Sequence, residues 1–246
     1  MISINNRFKV LIPVAGKGTR TGLNYPKSLF KIKGVPILYK IINSLKDYDK
    51  NPTLIVSEFS VELIKKFMVK YNLNLELIIQ KKQYGMGDAV LHFQNSKFYN
   101  KCDNLILIWG DIPFMQKSTI HKTIKTHIEK CNDFTFPTII SDEAYTLVKR
   151  NKNGLVKEVL ETKELNIKKL TNHERELGFF IFNPKIIFKF LSLNLQNKIG
   201  VNSKEHGFLY VIKHLCDTGY LVDGINIGQK KDEVSFNRLE EISDYI

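Results

Sequence analysis

The densest chemistry lies in Lys9-Val-Leu-Ile-Pro-Val-Ala-Gly-Lys-Gly-Thr-Arg-Thr-Gly-Leu-Asn-Tyr-Pro-Lys27. An apolar run from Val10 to Val14 breaks at once into a loop holding Gly16, Gly18 and Gly22, with Lys17 and Arg20 inside it and Lys27 behind it. Glycines let backbone N–H groups approach an anion, and the cations offset its charge, so a strand feeding such a loop reads as a polyphosphate cradle. A second glycine pair, Gly85 and Gly87, follows Gln80 and Gln83 and leads into a helix beginning near Asp88. It reads as a site for close approach of a flat ligand or, equally, as a plain turn. Asp111 follows the apolar run Asn104–Trp109 in Gly110-Asp-Ile-Pro113. An Asp at the carboxyl end of a buried strand is a natural Mg²⁺ ligand beside a polyphosphate, and as a turn or cap residue it would be unremarkable.

These residues need a scaffold of alternating strands and helices. Lys9–Val14, Thr53–Ser57, Leu75–Ile79 and Asn104–Trp109 read as buried strands. Between them, residues 37–45 and 61–71 carry apolar positions three and four apart, the period of a helix packed on one face. That alternation predicts βαβ units and a mixed, mainly parallel sheet flanked by helices. Residues 116–130 read as a helix and Phe134–Ile140 as a strand. Asn153-Gly154 between two apolar runs predicts a hairpin over 145–160, with Glu161 and Lys163 just beyond its second strand. Further on, the pattern predicts a strand at Leu177–Phe182, helices over 185–193 and 208–218, and a strand at Val222–Ile227. A closing helix opens near Val234, with Asn237 as N-cap and Glu240 three residues later. The expected organisation is a single domain over 1–246, with a nucleotide-binding half over about 1–140 and a small acceptor-binding β subdomain over about 141–230.

The chain is 246 residues long, 43% hydrophobic and 25% charged, with a formal net charge of +12. Of its 37 basic residues only five are Arg, and Lys, Ile and Asn recur throughout, so the charge reads as a chain-wide bias and not a nucleic-acid patch. No apolar run approaches the roughly 18 residues of a membrane span. The N-terminus lacks an apolar signal region, and three scattered cysteines make no disulfide framework, so the expectation is a cytoplasmic protein with no nucleic-acid or membrane partner.

Val14-Ala15-Gly16-Lys-Gly18-Thr19-Arg20 with Pro26-Lys27 resembles the signature of the sugar-1-phosphate nucleotidyltransferases, pyrophosphorylases with a Rossmann-like α/β core. Gln80-x-x-Gln83-x-Gly85-x-Gly87 resembles the base-binding segment of the N-acetylglucosamine-1-phosphate uridylyltransferases. Trp109-Gly-Asp-Ile-Pro113 is similar to their metal-binding strand end, Val148-x-Arg150 through Glu161-x-Lys163 to their acceptor hairpin, and Phe236-Asn237-x-x-Glu240 to their closing helix start. The resemblance implies that Val14, Ala15, Gly16, Gly18, Thr19, Gln80, Gly85 and Met86 bind the nucleotide. It assigns catalysis to Arg20, Lys27 and Lys163, acceptor binding to Glu161, Glu176 and Gly178, and Mg²⁺ to Asp111 and Asn237. The implied substrates are a nucleoside triphosphate and a phosphorylated acceptor, and the implied assembly is a homodimer.

Two stretches depart from the pattern. Where sugar enzymes hold hydroxyls with an Asn-Thr-Gly segment, this chain has Glu176-Leu177-Gly178, and Met86 stands where a Thr is common. The expectation is a nucleotidyltransferase leaning to CTP and acting on a small phosphorylated acceptor for capsule or surface-polysaccharide synthesis, one specific form being a cytidylyltransferase for phosphoramidate or an amino-acid phosphate. The alternatives are a UTP- or dTTP-dependent sugar-1-phosphate enzyme and a non-catalytic nucleotide-binding regulator.

Overall fold

A computed structural model describes residues 7–16, 18, 21–168 and 170–245. Two short strands, β2 (Lys31–Ile32) and β3 (Val35–Pro36), pair with each other apart from the main sheet, whose parallel centre is β1 (Phe8–Pro13), β4 (Thr53–Val56), β5 (Glu76–Ile79) and β6 (Asn104–Ile108). The central strands lie in the order β6-β1-β4-β5, so the chain reverses its direction of travel across the sheet at β1. Beyond β6 the sheet turns antiparallel through β11 (Phe179–Phe182), β7 (Phe134–Ser141) and β10 (His173–Glu176), while β12 (Val222–Asn226) pairs in parallel with the other edge of β7. This mixed, mainly parallel sheet with helices on both faces is the architecture the sequence predicts.

The period-two pattern of β1, β6 and β11 divides the core. Val10, Ile12, Ile106, Ile108, Phe179 and Ile181 face α1 (Ile37–Leu45), α2 (Val61–Lys70) and α4 (Lys117–Glu129). Leu11, Leu105, Leu107, Phe180 and Phe182 face α3 (Met86–Leu91), α5 (Pro184–Ser192) and α6 (Tyr210–Asp217). Both faces of these strands are buried, which is why their sequences are unbroken apolar runs. α5 starts where a Pro at its first position follows Asn183, whose side chain caps Lys185 N–H at 3.0 Å.

β10 and β11 are one strand interrupted. Glu176 pairs with Thr138 and Ile181 with Thr135, so β7 advances three residues while its partner advances five. The extra pair, Leu177-Gly178, bulges out, with Gly178 at φ +68°. There Trp109 N–H donates to Gly178 C=O at 3.0 Å as the strand passes from β7 to β6. The predicted strand at Leu177–Phe182 thus begins at Phe179, and the charged segment before it is also strand.

The hairpin forms as predicted, with β8 (Thr146–Arg150) antiparallel to β9 (Val156–Glu161). The closing helix differs from expectation. Residues Leu239–Tyr245 form 3₁₀ turns, and the carboxylate that reaches back is Glu241, accepting from Asn237 N–H at 2.7 Å and Arg238 N–H at 3.3 Å. Burial pushes the Cys102 and Cys216 thiols up to about 11, and the described cysteines are all free.

His127, buried at the end of α4, lies 3.0 Å from Asn104 Oδ1 through Nε2 and 3.0 Å from Thr135 Oγ1 through Nδ1. Asn132 Nδ2 donates to the same Thr135 oxygen, leaving that hydroxyl to donate to a neutral ring. Burial pushes the imidazole down to about 4. The unfolded chain therefore binds the extra proton first, and the ring's stabilisation, full above about pH 6.5, is lost as pH falls toward 4. The stability penalty of His127→Gln is expected to shrink by about 2 kcal/mol between pH 7 and pH 5, read by urea unfolding. A pH-independent penalty would contradict a neutral buried ring.

Candidate active site

The carboxyl ends of β1, β5 and β6 open into a cleft of about 330 Å³. An open α/β sheet binds ligands there, where its strand order reverses. Val14, Ala15 and Gly16 form one wall as the chain leaves β1, and Val14 N–H is anchored to Ile55 C=O at 2.8 Å. Gly16 is exposed with open space where a side chain would be. Gly18 lies behind, its α-carbon against Thr21 and Lys27, where an added Cβ would come 3.5 Å from Lys27 Cβ. Thr19 and Arg20, expected on this loop, fall outside the described residues.

Lys27 begins a 3₁₀ turn after Pro26 and reaches across the cleft floor. Its Nζ is 2.6 Å from Asp111 Oδ2 and 3.3 Å from Asn237 Oδ1, with the Lys and Asp side chains about one-fifth exposed. Asn237 is 126 residues from Asp111 in sequence but arrives through it: Phe236 N–H donates to Asp111 C=O at 2.8 Å. The fully buried Phe236 ring packs 4.8 Å from Phe30. Asn237 Nδ2 donates to Ser235 Oγ, which leaves Oδ1 turned to the lysine. Among the described residues the buried side-chain oxygen with no hydrogen-bond partner is Ser28 Oγ, and Ser28 lines this same cleft.

A hard cation fits this floor. One carboxylate and one amide oxygen already converge on a single positive charge, the Lys27 ammonium. Mg²⁺ takes few protein oxygens and fills its shell with water and phosphate. The described residues gather no set of three or more His, Cys, Asp or Glu, so Asp111 and Asn237 would be the protein's share.

The opposite wall is the loop of Gln80, Gln83, Gly85 and Met86. Gln80 is buried, with its Nε2 donating to Asp88 Oδ2 at 2.6 Å, while Gln83 Nε2 donates to Ala15 C=O at 3.0 Å and ties this loop to the first. Gly85 (φ +121°) and Gly87 are glycine for a reason inside the protein. A Cβ on either would press into the backbone of His206 or Gly207, as close as 2.0 Å.

Lys163, on the 3₁₀ turn after β9, closes the cleft's far side with Glu205. Its ammonium is 2.8 Å from Glu161 and 3.8 Å from Glu205. Burial lowers its pKa, but Glu161 first and then Glu205 and Glu164 outweigh that, and the net shift is upward, so Lys163 is a permanent cation. Glu161 lines a neighbouring cavity of about 270 Å³ that shares Lys163, Met86 and Glu205 with the cleft. Glu176 and Gly178 line neither cavity. The buried Glu176 carboxyl accepts from Gly178 N–H and lies 3.5 Å from Thr146 Oγ1, and burial holds its pKa up. Gly178 faces Trp109 and Ile112, where a Cβ would come within 2.4 Å.

The family model of the MobA-like NTP transferase domain matches residues 10–172, the stretch holding both glycine loops, Asp111 and Lys163. The chain belongs to that family. Bifunctional protein GlmU of Fervidobacterium nodosum is 26% identical to this NTP transferase domain over 240 residues, covering 96% of this chain and 50% of the relative. The chain thus spans about half the length of the curated relatives it matches. Among solved structures, a UDP-glucose pyrophosphorylase complexed with UDP-glucose superposes with a TM-score of 0.73 at 16% identity, covering 96% of each chain. The inositol-1-phosphate CTP transferase of T. maritima gives a TM-score of 0.69 at 17% identity, covering 91% of this chain and 86% of its own. At such identities the likeness establishes the fold of this NTP transferase domain. Among its described residues no helix is long and apolar enough to cross a membrane.

Proposed function

We propose that this chain transfers a nucleoside monophosphate from a nucleoside triphosphate, with CTP the leading donor, to a small phosphorylated acceptor. An acceptor phosphate oxygen attacks the α-phosphorus, a P–O bond forms there, and the bond to the β-phosphate bridging oxygen breaks to release pyrophosphate. The nucleophile is already anionic, so the site needs no general base. It needs relief of repulsion between two anions and their alignment. The observation that carries the reading is the Lys27 ammonium poised between Asp111 and Asn237 on the cleft floor, with Lys163 across from it.

In this reading Val14, Ala15, Gly16 and Gly18 present backbone to the nucleotide, while Gln80, Gly85 and Met86 flank its base. Lys27 and Lys163 hold phosphate oxygens of donor and acceptor, and Arg20 and Thr19 complete the first loop. Asp111 and Asn237 would hold Mg²⁺, which when bound supplies further charge neutralisation for the triphosphate. The half up to about residue 140 would hold the nucleotide and residues 141–230 the acceptor.

The acceptor wall favours a non-sugar substrate. Glu176 is closed onto Gly178 N–H and away from both cavities, so it offers no hydroxyl contact. Glu161 and Glu205 flank Lys163, and once a phosphate draws that ammonium away they favour a cation on the acceptor, as an amino-acid phosphate supplies. A role in capsule or surface-polysaccharide synthesis accords with such an acceptor. A second reading, a UTP- or dTTP-dependent sugar-1-phosphate enzyme, is favoured by the named substrate of the UDP-glucose pyrophosphorylase that shares the fold. A regulator that only binds nucleotide would not need the Asp111–Asn237 pair. The test is pyrophosphate release from each of four NTPs against a panel of amino-acid, sugar and inorganic phosphates with Mg²⁺. CTP with a non-sugar phosphate is the expected best pair; release only with sugar phosphates selects the second reading, and none at all defeats both.

A further inference from the structure

Between α5 and α6 the chain has no regular secondary structure, yet residues 198–207 close on themselves. Gly207 N–H donates to Lys198 C=O at 2.9 Å, Gly200 N–H to Glu205 C=O at 2.9 Å, and Lys204 N–H to Gly200 C=O at 3.1 Å. Ile199 and His206 pair as an isolated antiparallel bridge between them. A loop that spends its backbone groups internally behaves as a stiff piece.

This piece is fastened at two ends to the two sides of the cleft. At one end His206 N–H donates to Tyr84 C=O at 2.6 Å, and Gly87 N–H donates to His206 C=O at 3.0 Å. The missing side chains of Gly85 and Gly87 are what admit it so closely. At the other end the Glu164 carboxylate accepts from Asn202 N–H at 2.8 Å and Ser203 N–H at 3.3 Å. Asn202 Nδ2 donates to Lys163 C=O and to Asn166 Oδ1, both at 2.9 Å. A Cβ on Gly200 would lie 2.4 Å from Glu164 Oε1, so the carboxylate seats only against glycine. On its other side the Lys163 turn is tied down by Thr162, whose N–H and hydroxyl both reach Tyr145 C=O at 3.0 Å. Thr162 is thus a pivot, and the loop holds the free side of the turn.

We propose that residues 198–207 are a positioning strap, in which Glu164 and Asn202 fix the Lys163 turn at a set offset from the Gln80–Gly87 loop. Its mechanical part stands on the hydrogen bonds alone; its catalytic part rests on the nucleotidyl-transfer reading. Two anions that react without covalent help from the protein depend on placement, and a shift near 1 Å costs up to about a hundredfold in rate. Glu164 and Asn202 act only through Lys163 and are positioning residues.

Glu164→Ala tests both parts, with Glu164→Gln, which keeps an oxygen for the shorter bond from Asn202 N–H but none for Ser203 N–H, as a partial rescue. The mechanical readout is amide exchange at Gly87, at the far end of the strap. Exchange there is expected to quicken about tenfold in Glu164→Ala and by clearly less in Glu164→Gln, while the sheet amide of Gln80, bonded to Val56 C=O, is unmoved in both. Unchanged Gly87 exchange in Glu164→Ala overturns the strap whether or not the protein proves to be an enzyme. Where the wild type turns over a substrate pair, Glu164→Ala is expected to lower kcat and raise the acceptor KM, together about tenfold in kcat/KM, with the NTP KM within twofold. A loss spread equally over both KM values, or one as large in Glu164→Gln as in Glu164→Ala, overturns the catalytic part. Failure of the wild type to release pyrophosphate defeats the function and leaves the exchange result to decide the strap.

Discussion

Lys27→Ala is expected to lose two or more decades of turnover while the protein keeps its circular dichroism and melts within a few degrees of wild type. Two decades correspond to about 2.7 kcal/mol of barrier, the scale expected when one directed cation is withdrawn from a developing phosphoryl charge. The fold should tolerate the change because Lys27 stands on a short turn at the cleft surface and not in either core cluster. The same variant carries a second, opposite signature. Lys27 Nζ occupies the approach to Asp111 Oδ2 and Asn237 Oδ1, so it competes with a divalent ion for the same two oxygens. Mg²⁺ titrated calorimetrically without nucleotide is therefore expected to bind Lys27→Ala more tightly than wild type. Near-normal turnover would remove Lys27 from the reaction, and weaker Mg²⁺ binding would remove the competition.

The second large effect concerns what lies behind the cleft. Phe180 is fully buried, with ring centroids of Trp109 at 5.1 Å, Phe208 at 5.3 Å, Phe134 at 5.9 Å and Phe136 at 6.1 Å. Phe180→Ala removes the hub of this cluster, and a large aromatic deleted from a packed core costs about 3–5 kcal/mol. For a domain of this size that is about 10 °C in melting temperature by calorimetry. Trp109, which lines the cleft, loses its backing, so nucleotide affinity is expected to fall as well. Phe180→Leu, which keeps most of the volume, is expected to recover at least half of the stability. A melting temperature within 3 °C of wild type for Phe180→Ala would mean that the cluster is not the structural support described.

The fold was legible because its central strands bury both faces. Runs such as Val10–Val14 and Leu105–Trp109 are apolar throughout and lead into Gly16 and Gly110, and that pattern survives without knowledge of neighbours. β10 was not legible. Its sequence is His173-Glu-Arg-Glu176, and its charges are satisfied from far along the chain, Glu174 by Arg150 at 2.6 Å and by Thr138. The same holds for the 3₁₀ character of the C-terminal turns. The Asn237 N–H finds Glu241 and not Glu240, a one-residue shift set by the docking of Phe236 on Asp111.

In the site, residue type and position pointed to the first glycine loop and Asp111, while the roles of Lys163 and Asn237 came from the family resemblance. Lys27, Asp111, Lys163 and Asn237, drawn from four separate stretches, do converge on the cleft. The reason for Gly85 and Gly87 was not visible, since the backbone that crowds them belongs to His206, more than a hundred residues later. Glu205 and Ser28 were missed for the same kind of reason: nothing local distinguishes a surface glutamate from one that pairs with Lys163 across a cleft.

The bond from Phe236 to Asp111 also bears on how the protein is made. β12, the last strand among the described residues, ends at Asn226, so every described strand of the sheet has been synthesised before residues 236 and 237 exist. The growing chain can complete its scaffold and both glycine loops while Asp111 still lacks its partner. The paired oxygens come together only once residues 236 and 237 dock, so a product truncated before them would fold around a cleft that cannot be completed.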